Sequence, residues 1–312
     1  MLMAEQFAVD ADYRFEALGA GVRPEDKPLF VQFAATDPDV FASACAEARA
    51  MGADGADLNI GCPQRRAREG VYGSWMQEDW NLCAALIAAA RARCPDEFAI
   101  TAKIRVQYGA CDQPSTENTV AFAKRLEAAG ASLIALHARV RGSPERRRDG
   151  AADLTVVCAL KAALRIPVLS NGNVRCRGDV AANLAFTGAD GVMSAEQLLR
   201  DPALFDETSP APAALVGEYL DLCAACESRA LPREDGSKNG KDGAVTRSVT
   251  TGVERYSVWW PNIEVVRCHA KRMLEGLGTG RGSGLEILQR NTFRRAEEVA
   301  RVDEYLRKRL RV

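Results

Sequence analysis

The sequence lacks an apolar run long enough to cross a bilayer. Nothing approaches the roughly 18–20 residues that a span requires, and the stretch CAALIAAARARC is broken by arginine. It also lacks an excess of charge. Lys and Arg number 41 against 42 Asp and Glu, a net charge of −1, so any affinity for a polyanion must come from local patches. The opening MLMAEQFAVDADYR has no basic segment followed by an apolar core and does not read as a secretory signal. Ten cysteines show no framework spacing, and the one CxxC, Cys223 to Cys226, has neither a second CxxC nor a Cys/His pair beside it. Reduced thiols are therefore expected, with no metal and no disulfide scaffold, in the cytoplasm or nucleus. Only two histidines occur in the chain, so each must be weighed singly.

What remains is a chain of 312 residues, 47% hydrophobic and 27% charged, enough for one large α/β domain and a smaller one. Short apolar runs alternate with longer amphipathic ones. Strands are expected at LFVQF (29–33), ADLNI (56–60), FAITAKI (98–104), SLIALH (132–137), IPVLS (166–170) and ADGVM (189–193). Helices are expected between them, over DPDVFASACAEARAMG, EDWNLCAALIAAARARC, STENTVAFAKRLEAAG, DLTVVCALKAAL and GDVAANLAFTG, with Gly52, Gly130 and Gly188 just past three helix ends. Continuously apolar strands belong to a parallel sheet covered on both faces. Repeated strand–helix units give a doubly wound sheet or a (β/α)8 TIM barrel.

The barrel is favoured because polar and special residues recur past most strand ends. These are Gln32, Asn59 to Cys62, Lys103 and Arg105, His137 to Arg139, Asn171 to Asn173, and Ser194 to Glu196. A barrel gathers all such ends on one face, where its active site is built. Six units are legible where a closed barrel needs eight. Residues 1–28 hold less than two, so the barrel is expected to be N-terminally incomplete, with MLM as the tail of a strand.

The catalytic domain is expected over 1–208 and a helical domain over 209–312, with a low-complexity loop at about 232–258 that opens PREDGSKNGKDG. The run GLGTGRGSG follows no strand and reads as a linker.

Lys103 and Arg105 lie two apart on a strand and point to one side. Two readings stay open there: ion-paired rim residues, or cations facing an anion or electron-rich ring above the barrel. His137 is either a rim histidine satisfied by backbone or part of a site with Arg139 and Arg141. Asn171, Gly172 and Asn173 have the composition of a turn that lets backbone approach a ligand. ADGVMSAEQLL leads from strand to helix through small residues, leaving N–H groups free for a phosphate. Most of the cysteines read as small buried hydrophobes. Cys62 stands apart, held between Gly61 and Pro63 at a strand end in DLNIGCPQRRAREGVYGSWM, where a thiol can donate a proton or act as a nucleophile.

The ordered set FVQF, DLNIGCPQRRAREGVYGSWM, TAKIRV, LHARVRG, VLSNGNV and GADGVMSAEQLLRDPALF resembles the tRNA-dihydrouridine synthases, and most of all the branch acting on uridines 16 and 17 of the D-loop. The match covers about 28–205, with a weaker one in VVRCHAKRML. The resemblance implies an FMN-binding barrel followed by a small tRNA-binding helical domain, with NADPH or NADH as reductant and tRNA as partner. It implies hydride delivery from the flavin to C6 of uracil and a proton from Cys62 to C5. Gln32 and Lys103 would contact the flavin ring. His137, Asn171, Gly172 and Asn173, with Ala195 and Glu196, would hold its ribityl-phosphate side. Asn59 and Arg105 would orient the flipped uracil. Arg65, Arg66, Arg68, Arg139, Arg141 and Arg146 to Arg148 would meet RNA phosphates, as would Arg267, His269 and Lys271. A monomer without a membrane association is expected.

Two departures stand out. The family begins with a strand carrying Ala-Pro-Met and a helix, and usually has Ala where Ser74 stands and a different apolar residue for Trp75. Two competing readings are a catalytically impaired tRNA-binding homologue and a flavin barrel acting on a free pyrimidine. The basic C-terminal helices speak against the second.

Overall fold

The computed structural model describes residues 1–142 and 151–206, with single positions at 215, 218, 219 and 222. Arg146 to Arg148, the Cys223–Cys226 pair, the 232–258 segment and Arg267, His269 and Lys271 lie outside the described residues. The chain divides into two compact units, Met1–Ser194 and Ala195–Val312. The division expected at 208 falls within the second.

The first unit opens with β1 (Leu2–Met3), α1 (Ala4–Val9) and α2 (Ala11–Leu18). Then follow β2 (Phe30–Ala34), α3 (Pro38–Ala50), β3 (Gly55–Ile60), α4 (Arg65–Glu69) and α5 (Trp80–Arg93). The rest is β4 (Ala99–Tyr108), β5 (Pro114–Ser115), α6 (Thr116–Ala128), β6 (Leu133–Val140), α7 (Leu154–Ala163), β7 (Val168–Asn171), α8 (Arg177–Thr187) and β8 (Gly191–Met193). All six expected strands and all five expected helices form.

The sheet order is β1-β2-β3-β4-β6-β7-β8, every ladder parallel, with β5 folded back antiparallel on the end of β4. Each strand pairs with the next in the chain and the order never reverses. A doubly wound sheet has a switch point; this sheet has the one-way winding of a (β/α)8 TIM barrel. MLM does carry a strand, Leu2 pairing with Phe33 and Met3 with Ala34. Among the described residues β1 and β8 share no ladder.

Local chemistry starts and stops the helices. Asp37, Asp79 and Ser115 accept from the N–H of Val40, Leu82 and Asn118 at 2.9, 2.9 and 3.0 Å, capping α3, α5 and α6. Gly52, Gly130 and Gly188 follow α3, α6 and α8 with φ of +92°, +104° and +64°, as expected for residues past a helix end. The core lies between the sheet and its helices. Leu58, Ile60, Ile100, Ile104, Ile134 and Leu136 on the strands are fully buried, as are Phe41, Leu86, Ile87, Phe122 and Leu126 on the helices. Phe7 on α1 meets Phe33 edge-on, ring centres 5.0 Å apart, and Phe33 meets Phe41 at 6.3 Å. This aromatic chain ties the N-terminal helix to the sheet.

Candidate active site

Side chains alternate along a strand, and cross-strand partners share a face. The strand register therefore sorts the candidate residues. Gln32 partners Asp57 across β2 and β3, and Asp57 partners Thr101 across β3 and β4. Two residues nearer the C-terminal ends, Asn59 partners Lys103. One further row runs Arg105, His137, Asn171 and Met193 across β4, β6, β7 and β8. Thus Gln32, Asn59, Lys103, Arg105, His137 and Asn171 all lie on the face opposite the helices.

A hydrogen-bonded chain runs through the first two rows. Asp57, only 8% exposed, accepts from Thr101 Oγ1 at 2.7 Å and from Gln32 Nε2 at 2.7 Å. Gln32 Oε1 accepts from Asn59 Nδ2 at 2.8 Å. Asn59 Oδ1 accepts from the backbone N–H of Gly61 at 3.0 Å and of Cys62 at 2.9 Å. Asp57 and Thr101 were not singled out from the sequence. The signal was there: Asp57 is an acidic residue in an otherwise apolar strand, two before Asn59 and so on its face.

Cys62, half-buried, is gripped from the far side of its loop. Its carbonyl oxygen accepts from both the N–H of Ser74 at 3.0 Å and Ser74 Oγ at 2.9 Å. Gly73 has φ +63°, and a Cβ there would stand 2.8 Å from the Cys62 oxygen; only glycine fits this approach. From below, buried Arg105 donates through Nε to the Gly61 carbonyl at 2.7 Å and through one terminal nitrogen to Val140 O at 2.9 Å. Its own N–H donates to Gln77 Oε1 at 2.8 Å.

The arginines divide by function. Arg68 and Arg141 lie over the Trp75 ring, at 5.3 and 4.1 Å from its centre. Arg141 also donates to Ser74 O at 3.0 Å and pairs with Glu78 at 2.7 Å. Arg65 is 82% exposed on α4 and pairs only loosely with Glu69, one turn on. Arg66, also on α4, is exposed.

Lys103 is half-buried and makes no hydrogen bond or ion pair among the described residues. Burial brings its ammonium down to about 8, helped by the charge of Arg105 and opposed by Asp57 and Cys62. Burial also raises the Asp57 carboxyl above its ordinary value, against the hydrogen bonds from Thr101 and Gln32 and the charge of Lys103.

Around β6 and β7 the predicted residues come together. One terminal nitrogen of Arg139 lies 2.8 Å from His137 Nε2 and the other donates to Asn173 Oδ1 at 3.0 Å. A guanidinium only donates, so His137 Nε2 is the unprotonated nitrogen. Asn173, at φ +59°, brackets Ala152 by accepting from its N–H at 3.1 Å and donating to its carbonyl at 3.0 Å. Gly172 has φ +135° and Asn171 donates to Met193 O at 2.8 Å. Ala195 and Glu196 open the second unit, directly after β8 in the chain.

Among the described residues no group of three His, Cys, Asp or Glu side chains is placed to hold a metal, and no helix is long and apolar enough to cross a membrane. Lys103, His137 and Asn171 thus share one face of a one-way parallel sheet, with Cys62 just past the end of β3.

Comparison with known proteins bears on that combination. The family model described as dihydrouridine synthase (Dus) matches residues 1–230. A protein of Rattus norvegicus named as tRNA-dihydrouridine(16/17) synthase-like is 43% identical over 222 residues, covering 71% of this chain and 48% of the rat protein. The tRNA-dihydrouridine(16/17) synthase of Schizosaccharomyces pombe is 33% identical over 225 residues, 72% of this chain and 54% of the yeast protein. A human tRNA-dihydrouridine(20a/20b) synthase-like protein is 31% identical over 198 residues, 63% of this chain and 59% of its own. The names of all three carry NAD(P). The chain spans about half the length of the rat and fission-yeast relatives. With the family model spanning most of its length and the thiol, lysine and turn residues gathered on the barrel face, this chain belongs to the dihydrouridine synthase family.

Proposed function

We propose that the chain reduces uridine to 5,6-dihydrouridine in the D-loop of tRNA, at positions 16 and 17, using FMN and NADPH or NADH. One observation carries the reading: the Cys62 backbone is fixed just past the end of β3, near enough for Cys62 to act on the charge of Lys103, whose ammonium has no hydrogen-bond or ion-pair partner among the described residues. Such a half-buried ammonium calls for an electron-rich group beside it, and the flavin ring fits that demand. When bound, FMN supplies the hydride that C6 of the uracil receives.

The chain's own residues supply the rest. Cys62 holds the proton delivered to C5. A positioned thiol can act as a general acid toward a carbon centre. Gln32 keeps one amide hydrogen and one lone pair spare, and Asn59, whose oxygen already accepts twice, keeps one amide hydrogen. Gln32 turns this toward the flavin ring and Asn59 toward the flipped uracil. Arg105 is bonded to Gly61 and Val140, so in this reading it orients the uracil chiefly by setting the loop against which the base rests. His137, Arg139 and the Asn171–Asn173 turn face the ribityl-phosphate, with Ala195 and Glu196 following β8. Arg65 and Arg66 meet tRNA phosphates at the mouth. Arg267, His269 and Lys271 add further contacts to tRNA in this reading.

The test is direct. The purified chain should be yellow, release flavin on denaturation and form dihydrouridine in unmodified tRNA with NADPH. A colourless chain that binds tRNA would make it a non-catalytic RNA-binding homologue.

A further inference from the structure

We propose that Asp57 is a positioning residue for Cys62, acting at a distance through Gln32 and Asn59. The inference rests on the proposed role of Cys62 for its functional meaning, but its physical basis is separate. The relay is pinned at both ends. At one end both oxygens of the Asp57 carboxyl accept, from Thr101 and from Gln32. At the other, the N–H groups of Gly61 and Cys62 can only donate. Between them stand two amides, each able to turn either way.

Only one arrangement satisfies every link. Asp57 requires the NH2 of Gln32 at 2.7 Å. That leaves the Gln32 oxygen toward Asn59, which must answer with its own NH2 at 2.8 Å. The Asn59 oxygen is then left toward Gly61 and Cys62, where it closes the turn that carries the thiol. Reversing either amide would set like against like at its junctions. Thr101 occupies the other carboxylate oxygen at 2.7 Å, so the carboxylate itself cannot rotate freely. Asp57 thus selects, two residues upstream on the strand, the orientation of the loop that presents Cys62.

The test uses the full-length chain and reads Cys62 directly. Alkylation by iodoacetamide is followed peptide by peptide, with the exposed Cys111 and Cys176 as internal references. Asp57→Ala and Asn59→Ala should each speed alkylation of Cys62 about tenfold, the weight of one net hydrogen bond to a charged group, because the turn is released. In the double variant the rate should be no higher than in Asn59→Ala alone, since the relay is already cut.

Multiplying effects would mean that Asp57 acts on the thiol by another route, through the charge of Lys103, and would overturn the relay. So would a Cys62 rate in Asp57→Ala within about twofold of the parent, which is less than one hydrogen bond is worth. If Asp57→Ala does not fold, Asp57→Leu keeps the approximate shape and removes both acceptor oxygens. Its Cys62 rate should still exceed the parent's, and an unchanged rate refutes the proposal. On the catalytic side, Asp57→Leu should slow reoxidation of the flavin by tRNA more than its reduction by NADPH. Should the parent chain reduce no uridine at all, the alkylation cycle still decides the relay.

Discussion

A Cβ on Gly73 would stand 2.9 Å from the Cβ of Cys62 and 2.8 Å from its carbonyl oxygen. The second glycine of GVYGSWM therefore belongs to the thiol's own environment, although eleven positions separate the two in the chain. At φ +63° a side chain is strained as well as crowded. Gly73→Ala should cost about 1–3 kcal/mol of stability and displace Cys62. Chemical denaturation measures the first and dihydrouridine formation the second.

Cys62→Ala removes the proposed proton donor and leaves the relay and the Ser74 clamp in place, because both end on Cys62 backbone atoms. Flavin content should match the parent. Turnover should fall by about 10²–10⁴, the usual worth of a positioned acid. Single-turnover reoxidation of the flavin by tRNA checks it; full activity would end the proton-donor role.

Lys103 gives a stability prediction with a defined sign. Its ammonium is brought down to about 8 in the folded chain from an ordinary 10.5. Between those values the unfolded chain binds more protons, so this residue makes stability rise with pH. Below about 8 the folded state bears the full cost of the charged group, and above 10.5 the cost is gone. Lys103→Met should remove that alkaline increment and raise stability at neutral pH, read from denaturation midpoints at pH 7 and pH 9.5, while weakening flavin retention.

Arg65 and Arg141 should part company in salt titrations of tRNA binding. Arg65 is exposed and loosely paired, so Arg65→Ala should lower the slope of log K against log salt by about one phosphate contact. Arg141 is committed to Trp75, Ser74 and Glu78. Arg141→Ala should leave that slope nearly unchanged and cost about 1–3 kcal/mol of stability instead, as expected for a lost hydrogen-bonded and stacked cation.

Much of this was readable in the sequence. Strand ends announce themselves because a polar residue closing an apolar run must be satisfied somewhere, and Gln32, Asn59, Lys103, His137 and Asn171 all prove to share one face. The N-terminal elements were less legible. α1 and α2 are six and eight residues long and α2 carries no buried residue, so they leave little hydrophobic period to read, although MLM was legible as strand. Arg105 shows a different limit. Its partners, Gly61 O and Val140 O, are backbone atoms 44 and 35 positions away, and a carbonyl has no signature in a sequence. Asp57 was open to inference from alternation alone.

The Ser74 clamp has a consequence for how such a site can change. Gly61 and Cys62 are tied to Asn59, and the Cys62 carbonyl is tied to Ser74, so the excursion between them closes on itself. Residues 64–72, with α4 and its exposed arginines, hang from a sealed ring. Apart from buried Ala67 and Tyr72, which pack with Ala34 beside Cys62, their sequence can drift while the thiol keeps its address. On the proposed reading, selectivity among RNA substrates can be rewritten at the exposed positions of α4 by mutation or engineering, while Cys62 stays in place.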